Sequence, residues 1–282
     1  MYSYEDCVKI PPMSFVDDVI AISDCGPNSI KMNAYVQSKA DTKKLKLSES
    51  KCVKMHFGKK SENCPSLKIH QKEMIKSGKE RYLGDVITDD AKMDENIKMR
   101  KDKGIGIANG IISILKEVSF GVYYFEMGML FRNSMLLSGI LFNTESMCSI
   151  SENHLNMLED ADKYLLRQLF NTNIGTPIES FYIELSILPV KYLVKGRRLM
   201  YYWTMLQKTE NELVKRVVVA QKEFPGRKID WVQQVSADLE FCDIRYEENE
   251  IKSMKQEAFR KVVGEKIKFK AKEYLTSADE TF

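Results

Sequence analysis

The chain carries only three histidines, at positions 56, 70 and 154. With so few, neither a Ser-His-Asp nor a Cys-His arrangement can be argued from them. Long apolar runs are also missing. No stretch approaches the roughly 20 uninterrupted apolar residues of a membrane span, and the nearest, Met127 to Phe142, is broken by Arg132 and Asn133. The N-terminus is acidic and interrupted by Pro11-Pro12, which does not fit a signal peptide. Six cysteines (7, 25, 52, 64, 148 and 242) show no disulfide-like rhythm and fit a reducing compartment. The expected location is therefore nuclear or cytoplasmic, neither secreted nor membrane-bound. There is no large excess of either charge: the net value is +3, so any contact with nucleic acid must rest on local patches. No internal repeat or low-complexity stretch is present.

What remains is the composition of an ordinary globular protein. Hydrophobic residues make up 44% and charged residues 29% of 282, enough for one large or two modest domains with a real core. Fifteen methionines and 10% aromatics suit adaptable helical packing. Residues 8–23 read as two short strands around a turn. Pro27 to Leu47 reads as a helix with Pro27 in its first turn, although Gln37 and Asp41 interrupt the apolar face of Ile30, Ala34 and Leu45. Strands are expected over Lys51–Phe57, Leu67–Ile75 and Tyr82–Thr88. Helices are expected over 91–117, 122–140, 152–171, 177–186, 190–208, 211–223 and 247–274. Gly175, Thr176 and Pro177 mark one break, with Gly closing a helix, Thr capping and Pro opening the next. Phe224-Pro225-Gly226 marks another. The expected class is α+β: a small β-hairpin and helix region over residues 1–90, then a mostly α-helical region over 91–282.

The tetrapeptide Phe15-Val16-Asp17-Asp18 stands out. Two adjacent aspartates lie between Met13-Ser14-Phe15 and Val19-Ile20-Ala21-Ile22. Burying two carboxylates costs several kcal/mol unless they are compensated, so the pair reads as held on a buried scaffold, although from the residues alone a hairpin turn with two solvated acids is the favoured reading. Neighbouring side chains on a strand point to opposite faces. Both acids reach one site only from a tight turn, and strand, acidic turn, strand is a way to offer oxygen ligands to Mg²⁺.

Phe15-Val16-Asp17-Asp18 resembles the [FY]-x-D-D box of reverse transcriptases of non-LTR (LINE-type) retrotransposons. Lys51-Cys52-Val53-Lys54-Met55 resembles the lysine-bearing palm segment that follows the box, and Tyr82-Leu83-Gly84 the primer-grip hairpin. Gly139-Ile140-Leu141-Phe142-Asn143-Thr144-Glu145 and Tyr182-Ile183-Glu184-Leu185-Ser186-Ile187-Leu188-Pro189 resemble segments after the palm. The motifs follow the family's order over most of the chain. The resemblance implies RNA-directed DNA synthesis from dNTPs, with an RNA template, a DNA primer and Mg²⁺. Asp17 would be the direct metal ligand and Asp18 its support, in a two-metal in-line displacement. Lys51, or alternatively Lys54, would neutralise the departing pyrophosphate. Tyr82 and Gly84 would face the primer.

The resemblance also implies parts not found among these residues. Fourteen residues precede the box, whereas the family's palm has another metal-binding aspartate well upstream, and a fingers subdomain. The expectation is a polymerase fragment comprising the end of the palm, thumb and connection, inactive alone. The alternatives are a non-enzymatic nucleic-acid-binding remnant and a relic without function.

Three further patterns bear on function. Lys191, Lys195 and Arg198 share one helix face beside Arg197 and the aromatics Tyr192, Tyr201, Tyr202 and Trp203. The cations form a candidate phosphate-contacting ridge, and the aromatics are expected in the core. Lysines and Arg260 between 252 and 272 give the C-terminal helix a basic face, read first as solvated, second as a nucleic-acid face and third as a membrane surface. Glu257 and Lys261 have the spacing of a supporting ion pair, and Ile251, Met254, Ala258, Val262 and Ile267 give a loose apolar stripe. Cys52, His56, Cys64 and His70 have zinc-ligand chemistry in a spacing that matches no finger or knuckle, and are expected to be ordinary residues. Gly104 to Gly110 lacks the strand and the Lys-Ser/Thr of a phosphate loop and is read as a flexible spot in or before a helix, open to close backbone packing.

Overall fold

Every strand among the described residues lies between Met13 and Thr88, and from Asp94 onward the chain is helix and loop. The computed structural model describes residues 12–16, 18–57, 65–118, 120–173, 175–223 and 230–279. Two units are distinguished, 1–96 and 97–282. With 61% of the described residues in helix and a few small strand pairs, the class is α+β.

The first unit contains β1 (Met13–Phe15), β2 (Asp18–Ile20), α1 (Gly26–Thr42), β3 (Val53–Lys54), β4 (Lys68–Ile69), β5 (Lys72–Glu73), β6 (Ile75–Lys76), β7 (Lys79–Tyr82) and β8 (Asp85–Thr88). They pair only in twos: β1–β2, β4–β5 and β7–β8 as antiparallel hairpins, β3–β6 in parallel. The strand expected over 67–75 is thus three short ones. The one expected over 82–88 contains a turn, with Leu83 at φ 47° and Gly84 at φ 89°. Two successive positive φ values suit the right-handed twist of a two-residue hairpin, so glycine at 84 serves its conformational freedom.

Helix α1 stops at Thr42, not Leu47. Lys44 adopts φ 56°, the Lys44 N–H donates to Asp41 O at 2.9 Å and the Leu45 N–H to Ala40 O at 2.9 Å, the paired bonds of a Schellman cap. Gln37, the polar residue on its apolar face, has a structural job. The side-chain amides of Asn33 and Gln37 both donate to Lys68 O, at 2.8 and 2.9 Å. Gln37 Oε1 accepts from the His70 N–H at 2.9 Å. Two amides one turn apart thus clip the β4–β5 hairpin to α1.

The second unit is carried on α2 (Asp94–Glu117), α3 (Tyr124–Phe131), a π-turn at Arg132–Leu136, α4 (Leu137–Ile140), α5 (Glu152–Leu169), α6 (Ile178–Glu184), α7 (Val190–Leu206), α8 (Leu213–Glu223), α9 (Trp231–Phe241), α10 (Glu248–Ser253) and α11 (Gln256–Asp279). Helix α5 buries Leu155, Leu158, Ala161, Leu165 and Leu169 along one stripe. Its start is a reciprocal box: Ser151 Oγ accepts from the His154 N–H, and His154 Nδ1 from the Ser151 N–H. It ends at Asn171, φ 50°, through Thr172 N–H to Arg167 O at 3.0 Å, not at Gly175. The next helix opens with Pro177, not Thr176, at its cap.

Two departures have clear causes. Helix α9 lies in a stretch with no expected helix, although Asp230 and Gln233 form a capping box there, with Gln233 N–H to Asp230 Oδ1 at 2.8 Å. The single helix expected over 247–274 breaks at Met254, whose ψ is 142°. The indole of Trp203 on α7 donates to Met254 O at 3.1 Å, and Gln207 Nε2 to Lys252 O at 2.9 Å. Helix α7 therefore satisfies carbonyls that the break releases. The break also resets the phase of α11, which buries Phe259, Val263, Ile267, Ala271 and Leu275 and leaves Ala258 exposed.

At the heart of this unit Arg132 and Asp162 form a buried bidentate pair, Nε to Oδ1 at 2.6 Å and Nη2 to Oδ2 at 2.7 Å. Tyr182 Oη donates to Asp162 Oδ2 at 3.2 Å, and Arg132 Nη2 to Leu188 O at 3.4 Å. Burial, then the neighbouring carboxylate, pushes the Tyr182 hydroxyl well above its ordinary range, so it remains a donor. Nearby, helices approach so closely that a Cβ on Gly104 would lie 2.6 Å from Ile140 Cγ2 and 2.7 Å from Ala161 Cβ. Gly106 faces open space.

Asp162→Ala leaves Arg132 buried without its counter-charge and is expected to cost about 3–5 kcal/mol in urea unfolding. A loss below about 1 kcal/mol would remove the pair from its structural role. Gly104→Ala should destabilise by about 1–3 kcal/mol through overpacking, whereas Gly106→Ala should stabilise by up to about 1 kcal/mol; the two melting shifts must have opposite signs.

Candidate functional site

In the β1–β2 hairpin Met13 pairs with Ile20, Ser14 with Val19 and Phe15 with Asp18. The chain therefore reverses within two residues. Val16, the first of them, has φ 56°; Asp17, the second, lies outside the described residues. Asp18 begins β2 and is exposed. The flanks differ from the expected buried scaffold: Phe15 is 62% and Val16 88% exposed, and Met13, Val19 and Ile22 are exposed too. The physical reason is that a lone two-stranded ribbon covers neither of its faces. The same holds for the first unit generally, where Ala40, Ile69 and Val86 are the only buried apolar side chains among the described residues.

Among the described residues no group of three or more His, Cys, Asp or Glu side chains is arranged to hold a metal ion. Mg²⁺ is satisfied by one or two protein carboxylates when water and substrate phosphates complete its octahedron, so the donors fit only as part of such a shell. Lys51 lies in a turn, not on a strand, its N–H donating to Ser48 O at 3.1 Å. Lys54 is on β3, bonded to Glu73 Oε1 and Pro65 O at 3.2 Å each. Hydrogen bonding from Lys54 lowers the Glu73 carboxyl. Of the two lysines, Lys54 is engaged by an acid. Tyr82 and Gly84 stand at the β7–β8 turn, with Tyr82 paired to Asp85.

Cys52 is half-buried, its thiol pushed up by burial. His70 occupies the β4–β5 turn at φ 52°. Cys64 lies outside the described residues.

The ridge on α7 is not a solvent-facing surface. Arg198 is 2% exposed, and its Nη1 bonds Asp238 Oδ2 at 2.6 Å. Its Nε and Nη2 have no partner among the described residues, a desolvation cost that the one strong bond must offset. Lys195 Nζ sits 3.4 Å from Asp238 Oδ1, 3.6 Å from Glu152 Oε1 and 4.8 Å from the centre of the Phe241 ring. Lys191 Nζ lies 3.4 Å from the centre of the Tyr274 ring, and burial lowers its pKa. Equal spacing on α7 brought these cations together, but the face they share is covered by α9 and α11. Their charges are taken up by acids and ring faces. Arg197, the more exposed cation, faces Glu145 Oε2 at 3.4 Å. The aromatic neighbours pack as their spacing predicts: Tyr192 and Tyr202 are buried, and Tyr201 and Trp203 pack against that core.

Comparison of the chain with protein-family models, with characterised proteins and with solved structures gives no match. No helix among the described residues is long and apolar enough to cross a membrane.

Because Arg198 neutralises a buried acid, Arg198→Ala is expected to lower unfolding free energy by about 3–5 kcal/mol. The double substitution Arg198→Met with Asp238→Leu should recover much of that loss, since a well-packed apolar pair can replace a buried ion pair. Equal destabilisation in both variants, read by denaturant midpoint, would contradict this role.

Proposed function

We propose that the chain is the later part of an RNA-directed DNA polymerase of the LINE-type reverse transcriptase kind, spanning the end of the palm, the thumb and the connection. The observation that carries the reading is the Phe15-Val16-Asp17-Asp18 box on a hairpin whose register closes in two residues, followed in order by the Lys51 segment and the Tyr82-Leu83-Gly84 turn. Such a turn delivers neighbouring carboxylates to one side of a ribbon, which an extended strand does not. The exposed apolar flanks of that ribbon are also what a strand pair awaiting further palm structure presents.

In this reading Asp17 and Asp18 hold Mg²⁺ together with the phosphates of a dNTP. The metal, when bound, activates the primer hydroxyl and stabilises the leaving pyrophosphate. The chain's own contribution is positional. The hairpin holds the acids, Lys51, which forms no ion pair among the described residues, approaches the departing phosphate, and Tyr82 and Gly84 form a tight turn against the primer. One acidic turn is a weak Mg²⁺ site without a second carboxylate strand, so the isolated chain has no polymerase activity.

Two measurements test this. The purified 282-residue protein should not extend a primer on an RNA template with Mg²⁺ and dNTPs; extension would overturn the claim of incompleteness. Mn²⁺ titrated at millimolar concentration should broaden amide signals of residues 13–20, and Asp17→Asn with Asp18→Asn should abolish the effect. Broadening elsewhere, or none, would sink the metal assignment.

A further inference from the structure

The acids that absorb the α7 cations leave a different set of lysines unclaimed. On α11, Lys266 pairs with Asp243 at 3.3 Å and Lys270 with Glu273 at 3.0 Å. Lys261, Lys268 and Lys272 form no ion pair among the described residues, and all three are exposed. The i+4 pair expected between Glu257 and Lys261 is not made. Seven and four residues apart, the three lysines fall on one face of the helix, about 16 Å long at 1.5 Å per residue. Glu265 is the one acid between them, and it too forms no ion pair among the described residues. Lys255 and Arg260, exposed and without an ion pair among the described residues, extend the positive charge toward the start of the helix. Beside this stripe Phe269 is 58% exposed, a large apolar ring in water with Lys270 Nζ 5.9 Å from its centre.

We infer that this outer face of α11 binds single-stranded nucleic acid, with Lys261, Lys268 and Lys272 on successive phosphates and Phe269 stacked on an unpaired base. Unneutralised lysines at helical spacing complement a polyanion, and an exposed ring among them is the usual partner of a splayed base. A membrane surface is a poorer complement. An interfacial helix needs a broad apolar face to bury in lipid. The apolar side chains of α11 (Phe259, Val263, Ile267, Ala271 and Leu275) are already buried in the protein, so Phe269 stands alone. The inference does not depend on the polymerase reading, although the two share a class of ligand.

The test uses the full 282-residue chain and a fluorescent 20-mer RNA, with affinity measured at several salt concentrations. Substitution of Lys261, Lys268 and Lys272 by Gln should weaken binding about tenfold or more at low salt. It should reduce the slope of log affinity against log salt by about 2, near 0.7 for each phosphate contact. Phe269→Ala should weaken binding about fivefold or more with the slope unchanged. All four side chains are exposed, so the thermal melts should match the parent chain and separate lost binding from lost fold. Unchanged affinity and slope in the triple variant would overturn the inference, as would binding to phosphatidylserine vesicles with none to RNA. Failure here leaves the hairpin untouched, because primer extension and Mn²⁺ broadening report on residues 13–20 and oligonucleotide binding reports on α11.

Discussion

The helical unit is organised around one charge pair placed where water cannot reach it. Arg132, on a π-turn, donates two short hydrogen bonds to Asp162, in the middle of α5, and Tyr182 of α6, the Asn133 side chain and the Leu188 carbonyl before α7 add to the shell. Two buried ions are costly alone and tolerable only when geometry and additional donors satisfy them. That requirement fixes the rotation of α5 and the entry of α7, and so decides which residues of α7 face inward. The π-turn follows naturally, since widening one helical turn re-aims a side chain without ending the helix.

The consequences reach the charged residues. With α7 committed to the interior, Arg198 must find Asp238 on α9, and Lys195 shares that acid. Helix α11 packs on the other flank and turns its own lysines outward. Basic residues that look equivalent along the chain are thereby divided into structural cations and surface cations. Among its described residues the first unit has no buried ion pair. Its described strands pair in twos, side-chain amides tie α1 to a hairpin, and large apolar side chains remain exposed. A segment of that kind gains little from burial.

Helix existence was largely legible from apolar periodicity, most clearly in α5 and α7. Helix ends were less so, because Lys44, Asn171, Ser186 and Asp243 all take positive φ and close Schellman-type caps without glycine. A search for glycine overlooks them, and at 171 it pointed to Gly175 instead. Helix α9 carried a readable signal in Asp230 and Gln233. The break at Met254 carried none, because its carbonyls are satisfied by side chains about fifty residues earlier. Of the candidate site, the hairpin was legible as strand, turn, strand, but not the exposure of its flanks: period and composition describe what a strand can bury, not what is present to cover it.

Sequence by itself determined the change from short strands to helices, the β1–β2 hairpin that pairs Phe15 with Asp18 and the amphipathic stripes, since these depend on residues a few positions apart. Only the tertiary structure decided which cations are free. Lys191, Lys195 and Arg198 share a helix face just as Lys261, Lys268 and Lys272 do, and nothing local separates the two sets. The difference is that α9 brings Asp238 against the first set, while among the described residues no acid forms an ion pair with the second. Pairing across forty residues of sequence depends on how helices pack, and packing is set by buried contacts remote from the lysines themselves.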